Sequence, residues 1–118
     1  MDYNENNVNM AAAVAHAANR QYSRFLGEPM LPEWGSTSFL QSEGIRSAVR
    51  FAWNNDSATP EDIHNLWMDE RIKNGWKYGT AIDYAKKEHP CIVSYDKLSS
   101  EQQLKDKLFL SIIHVMRP

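Results

Sequence analysis

Residues 59–95 read TPEDIHNLWMDERIKNGWKYGTAIDYAKKEHPCIVSY, and in them a helix gives way to extended chain. Thr59 is suited to the N-cap and Pro60 to the first helical position, with Glu61 and Asp62 in the first turn, where the helix dipole favours acids. Ile63, Leu66 and Trp67 carry the apolar face, and Asn74-Gly75 supplies the stop. Residues 76–79 alternate, with Trp76 and Tyr78 on one side and Lys77 on the other, which reads as a short strand. A polar connection over 80–88 leads to a second strand candidate over 89–95, with Pro90 placing its start at an edge. The two strands are expected to pair as a small hairpin packed on helices, since an isolated hairpin of that length is not stable.

Upstream, residues 10–26 are helical, with Val14, Ala18, Tyr22 and Phe25 recurring on one face. Gly27, Pro29 and Pro32 end that helix, and Trp34 is expected to anchor the loop that follows against the core. A second helix runs from about Phe39 to Trp53, with Ser38 and Gln41 as a capping box. Its buried stripe is Ile45, Ala48, Val49 and Ala52. Arg46, Arg50 and Trp53 form a neighbouring stripe. Downstream, Ser99 and Gln102 form another capping box and open a last helix to about Val115, with Leu104, Leu108, Ile112 and Val115 facing the core. Residues 1–9 are polar and Asn-rich and read as a flexible tail before a single domain over 10–118. The fold class is α+β, mostly α, with about four helices and a small two-stranded element.

Composition narrows the function. The chain has 118 residues, enough for one core. Its net charge of −2 speaks against binding nucleic acid by phosphate neutralisation. Lys73, Lys77, Lys86 and Lys87 nevertheless cluster into a local positive patch. No apolar run spans a membrane and no signal peptide is expected before the first helix, and with a single cysteine a reducing cytoplasm is the expected compartment. One cysteine, Cys91, excludes an internal disulfide and a four-cysteine zinc site. His16, His64, His89 and His114 show no metal-ligand spacing. No phosphate loop or nucleophile elbow is present. No catalytic residue, metal or cofactor is therefore assigned, and the chain is not expected to be an enzyme. A small nucleotide hydrolase using His64 or His89 as base is the minor alternative.

One group stands apart. His64, Trp67, Trp76, Tyr78, Lys86, Lys87 and His89 place flat rings, imidazoles and ammonium groups in 26 residues. His64 and Trp67 share a helix face. Stacking surfaces beside cations suit a ligand with a planar base and phosphates. The same side chains would equally serve as core rings with solvated lysines.

These residues also carry a resemblance. Residues 63–98 resemble the RyR domain, the repeat first described in ryanodine receptor calcium channels. Its helix, turn and strand motifs stand here as His64-Asn65-Leu66-Trp67, Gly75-Trp76-Lys77-Tyr78-Gly79 and His89-Pro90-Cys91-Ile92-Val93 with Tyr95. The upstream segments AAVAHAANRQYSRFLGE, PMLPEWG and EGIRSAVRFAWNN are similar to the free-standing bacterial and phage versions, so the likeness runs from Ala13 to Val115. Two departures stand out. After Tyr78-Gly79 the family usually has a Pro, an aliphatic residue and often a base, whereas Thr80, Ala81 and Ile82 stand here. The channel repeats also come in tandem, and this chain holds one.

The resemblance implies a non-catalytic module binding a nucleotide-like small molecule, an adenine nucleotide or an ADP-ribose-type signal. In a phage protein it would sequester a host signal. Trp67 with Trp76 or Tyr78 would stack on the base. Lys86, Lys87, Arg46 and Arg50 would meet phosphates, and His64 would bond sugar or base. The alternative is a protein-interaction or homo-oligomerisation module without a small ligand, presenting Trp34, Trp53 and the last helix.

Overall fold

The structure, a computed structural model, describes residues 3–118. Four helices, α1 (Glu5–Phe25), α2 (Phe39–Trp53), α3 (Pro60–Lys73) and α4 (Ser100–Val115), carry most of the chain. Two short strands, β1 (Lys77–Tyr78) and β2 (Glu88–His89), follow α3, and 3-10 turns occupy Trp34–Ser36 and Tyr95–Lys97. The expected class, α+β and mostly α, is what the chain adopts.

Capping chemistry sets the helix starts. Thr59 Oγ1 accepts from the Asp62 N–H at 3.2 Å and the Asp62 carboxylate accepts from the Thr59 N–H at 3.0 Å, a closed capping box. Ser38 and Ser99 each accept from the backbone N–H three residues on. Among the described residues, neither glutamine returns the bond, so the boxes expected at Ser38/Gln41 and Ser99/Gln102 are half made. The Gln102 side chain turns instead to Glu28 at 2.6 Å.

α1 departs from expectation in start and in face. It begins at Glu5 because Asn4 caps it, accepting from the Asn6 N–H at 2.8 Å. Its first turns are anchored by the wholly buried Val8 and by Glu5, which pairs with Arg50. The flexible tail expected over 1–9 is thus helix from Glu5, while Met1 and Asp2 lie outside the described residues. The buried face is Val8, Ala11, Ala12, Ala15, His16 and Ser23, and Val14 and Phe25 of the expected stripe are exposed. Both stripes have helical spacing. The one with the small side chains is buried because alanines let α2 and α4 approach closely.

Trp53 sits at the centre. It is fully buried, its Nε1 donates to the Ile113 carbonyl at 2.7 Å, and Tyr3 packs edge-on against it at 5.0 Å. It therefore belongs to the core and not to an outward stripe or contact surface. Ala48, Val49 and Ala52 are buried as expected, Ile45 packs beside them, and Trp34 seals the 26–38 loop on the same core. On α4 the buried residues are Phe109, Leu110 and Ile113, whereas Leu104 and Val115 of the expected face point outward.

The strand pair is parallel, with Lys77 opposite Glu88 and Tyr78 opposite His89; the expected hairpin is not formed. Two reversals explain it. The chain turns back over 79–82, so that Asp83 pairs antiparallel with Glu88, and turns again over 84–87. The second turn is held by the Lys86 N–H on the Asp83 carboxylate at 3.0 Å and by Lys87 in the left-handed region at φ 55°. Residues 91–95 are not strand. The Cys91 N–H bonds back to His89 Nδ1 at 3.0 Å and the chain enters the Tyr95–Lys97 turn. No helix among the described residues is long and apolar enough to cross a membrane.

Candidate functional site

The site grows from the end of α3. Trp67 and Arg71 are one turn apart on the same face. After Lys73, Asn74 and Gly75 reverse the chain, with Gly75 at φ 88°, a conformation that favours glycine. The Trp76 N–H then bonds the Arg71 carbonyl at 2.9 Å, which brings the second indole back beside the helix. The Arg71 guanidinium lies 5.7 Å from the Trp67 ring centre and 5.2 Å from that of Trp76, held between two indoles.

His89, placed by β2, closes the group. Its ring meets Trp67 edge-on at 4.9 Å and Trp76 at 6.4 Å. Because Nδ1 accepts from the Cys91 N–H, the ring hydrogen sits on Nε2. Burial, and then the nearby Arg71 charge, push this histidine down to about 4, so it is neutral at neutral pH. Tyr84, on the 84–87 turn and largely exposed, stands edge-on to Trp76 at 5.7 Å.

Arg71 is the unusual member. It is partly buried, and burial lowers its pKa. Yet among the described residues its guanidinium has no carboxylate within ion-pair distance and no hydrogen-bond acceptor. The other partly buried arginines, Arg20, Arg46 and Arg50, each hold an acid.

The residues expected from sequence are only partly brought together. Trp67 and Trp76 belong to the cluster, and Lys86 and Lys87 lie on the exposed turn beside it, with Lys87 Nζ donating to the Asn74 carbonyl at 3.0 Å. Tyr78 is more than half exposed and has no ring partner among the described residues. His64 is a wall of the site. It is buried, stacks on Trp67 at 5.7 Å, and its Nε2 donates to the Val93 carbonyl at 2.7 Å. Arg46 and Arg50 are not brought to the cluster. Arg50 pairs with Glu5 and Glu43, and Arg46 pairs with Glu43 while lying 5.8 Å from the rings of Trp34 and Phe39. Sequence reading missed Arg71 and Tyr84. The four-residue spacing of Trp67 and Arg71, followed by an Asn-Gly turn into Trp76, is the signal that could have found Arg71.

Behind the cluster, His64 Nδ1 faces the Asp106 carboxyl at 4.0 Å, and burial raises Asp106 to about 7. Cys91 is half-buried, its thiol donates to Gln102 at 3.7 Å, and burial pushes its pKa up, so it is no ready nucleophile. No cluster of three metal-ligating side chains occurs among the described residues. The arrangement offers ring surfaces around a guanidinium that makes no ion pair among the described residues, edged by ammonium groups.

Against models of known protein families, the chain matches the RyR domain over residues 54–116. That span holds α3, both strands, α4 and every member of the cluster. No solved structure matches the chain.

Proposed function

The chain belongs to the RyR domain family, and from that premise we propose that it binds a nucleotide-like small molecule at the cluster built around Arg71, without chemical turnover. One observation carries the reading. Arg71 is partly buried between two indoles and its five N–H donors meet no acceptor among the described residues. An unpaired guanidinium withdrawn from water is costly, and a phosphate answers it with two parallel charge-assisted bonds. The flanking rings of Trp76 and Tyr84 give a planar base a surface to lie on, and Lys86 and Lys87 add positive charge at the rim. Trp67, His64 and His89 brace the arrangement. The resemblance to nucleotide-binding members of the family agrees with this chemistry. Tight holding without turnover suits sequestration of a signalling nucleotide, as a phage protein in the host cytoplasm would perform it.

Isothermal titration calorimetry against adenine nucleotides, cyclic dinucleotides and ADP-ribose derivatives, with unphosphorylated nucleosides as controls, tests the proposal. A phosphorylated member should bind and its nucleoside should bind far more weakly. Arg71→Ala should weaken binding by about tenfold to a hundredfold, as loss of a charged hydrogen bond of about 1.5–3 kcal/mol requires. Trp76→Ala should lose about 1–3 kcal/mol of stacking. The bound ligand should be recovered intact. No binding by any member refutes the proposal, and a tight ligand indifferent to Arg71→Ala refutes the site.

A further inference from the structure

Away from the cluster, α2 and α3 enclose a groove of about 190 Å³, with Leu40, Gly44, Ala48 and Leu66 lining it, Phe39 at its lip, and Glu43 and Glu70 at its edge. Phe39 and Leu40 are both more than half exposed there. Gly44 keeps the floor open. It lies inside a helix, where glycine is weaker than alanine, yet it has no positive φ, and no atom stands within 4 Å of the place its Cβ would take. Nothing in the fold itself requires a glycine. What a side chain at that position would do is fill the groove, which points to an occupant from outside.

The same chain offers one. α1 ends on Phe25, which is 86% exposed. The ring is not on a loose end: Gly27 adopts φ 74°, the Glu28 N–H closes on the Ser23 carbonyl at 3.0 Å, and Glu28 is clamped to α4 by Gln102 and Lys105. An apolar cavity of about 150 Å³ holds a benzene ring, so this groove has room for the phenyl group. Charge agrees as well. Arg24, beside Phe25, makes no salt bridge among the described residues; nor does Glu70 at the groove, although its carboxylate accepts from the Asn74 amide and its charge acts on Arg71, whereas Glu43 is already committed to Arg46 and Arg50. We propose that the chain self-associates by seating Phe25 of one copy in the α2–α3 groove of another, with Arg24 against Glu70. This contact uses none of the cluster's own side chains, and its test reads mass rather than ligand binding.

Sedimentation velocity and light scattering from about 1 μM to about 1 mM test it, a range that brackets weak and moderate self-association. The wild-type chain should pass from monomer to oligomer. Phe25→Ser, which removes the knob, and Gly44→Leu, which fills the groove, should each weaken association by about thirtyfold or more, as loss of a central aromatic anchor does. Phe25 is exposed and a Cβ at Gly44 would meet no atom within 4 Å, so circular dichroism should show both variants folded. An equimolar mixture of the two should associate more tightly than either alone, because one retains the groove and the other the knob. Arg24→Glu should weaken the contact and Glu70→Lys on the same chain should restore it. A wild-type chain that stays monomeric over this range overturns the proposal. Association that survives both Phe25→Ser and Gly44→Leu, or a mixture no tighter than its components, also overturns it.

Discussion

Gly79→Ala should loosen the strand pair that carries His89. A Cβ at position 79 would stand 2.5 Å from Glu88 Cβ, 3.0 Å from its Oε1 and 3.1 Å from its Cδ. Carbon atoms prefer about 3.5–4.0 Å, and the nearest atom is fixed to the backbone of β2, so the strands must part by about 1 Å. Two ladder bonds are in the way, from the Lys77 N–H to Lys87 O at 2.9 Å and from the Gly79 N–H to His89 O at 3.3 Å. Stretching them forfeits about 0.5–1.5 kcal/mol each, within the roughly 1–3 kcal/mol that overpacking usually costs. We expect about 2 kcal/mol of lost stability. For a domain of this size that is a fall of about 8 °C in Tm. Urea unfolding followed by circular dichroism and tryptophan fluorescence measures it. Gly44→Ala is the matched control, because a Cβ there meets nothing within 4 Å; it should gain about 0.5–1 kcal/mol from helix propensity. A Gly79→Ala variant within about 0.5 kcal/mol of wild type, on a scale where single core changes cost more, would refute the steric reasoning.

Trp53→Phe keeps a ring in the core but leaves the Ile113 carbonyl without its indole donor; a loss of about 2–4 kcal/mol by chemical denaturation is expected, and a neutral result would show that water replaces the donor. Between about pH 4 and 7 two groups act in opposite senses. Asp106, raised to about 7, takes up a proton on folding, so its contribution is full below the ordinary carboxylate range and is lost as pH rises through about 7. His89, lowered to about 4, contributes fully above the ordinary imidazole value and loses that contribution as pH falls through about 4. Asp106→Asn removes only the first, so its stability should climb from pH 4 to 6.5 more steeply than that of wild type; parallel profiles would refute the assignment. Glu28→Gln breaks the clamp on Lys105 and should cost about 1–2 kcal/mol, seen as faster hydrogen exchange around Gly27 and Glu28; unchanged exchange there would show the clamp to be idle.

How far the chain could be read in advance depended on where its signals were local. Thr59-Pro60, Ser38 and Ser99 mark helix starts by short-range chemistry, and the helices begin where those residues say. Which stripe of α1 is buried is not local. Val14 and Phe25 are the more apolar choice, but the alanine stripe allows closer helix packing, and only the partner helices decide that. The parallel strand pairing escaped for a similar reason. It takes two reversals, and the second depends on Lys87 adopting a left-handed conformation that no lysine advertises. At the cluster the rings were legible as a group, whereas Arg71 looked like one more solvated helix charge. Its meaning comes from Trp76 being folded back across it. Arg46 and Arg50 failed as site residues because Glu5 and Glu43, distant or unremarkable in sequence, claim them.

The two ends of the described chain meet. Arg117 Nε donates to the Tyr3 hydroxyl at 3.1 Å, and that hydroxyl donates to the Trp53 carbonyl at 2.9 Å. A unit whose entry and exit lie side by side can be spliced into a surface loop of a host protein without prying either apart. By the same token, a short bridge from Arg117 to Tyr3 would permit a circularly permuted chain with its new opening among the loop residues before Trp34, leaving the aromatic cluster and the α2–α3 groove untouched.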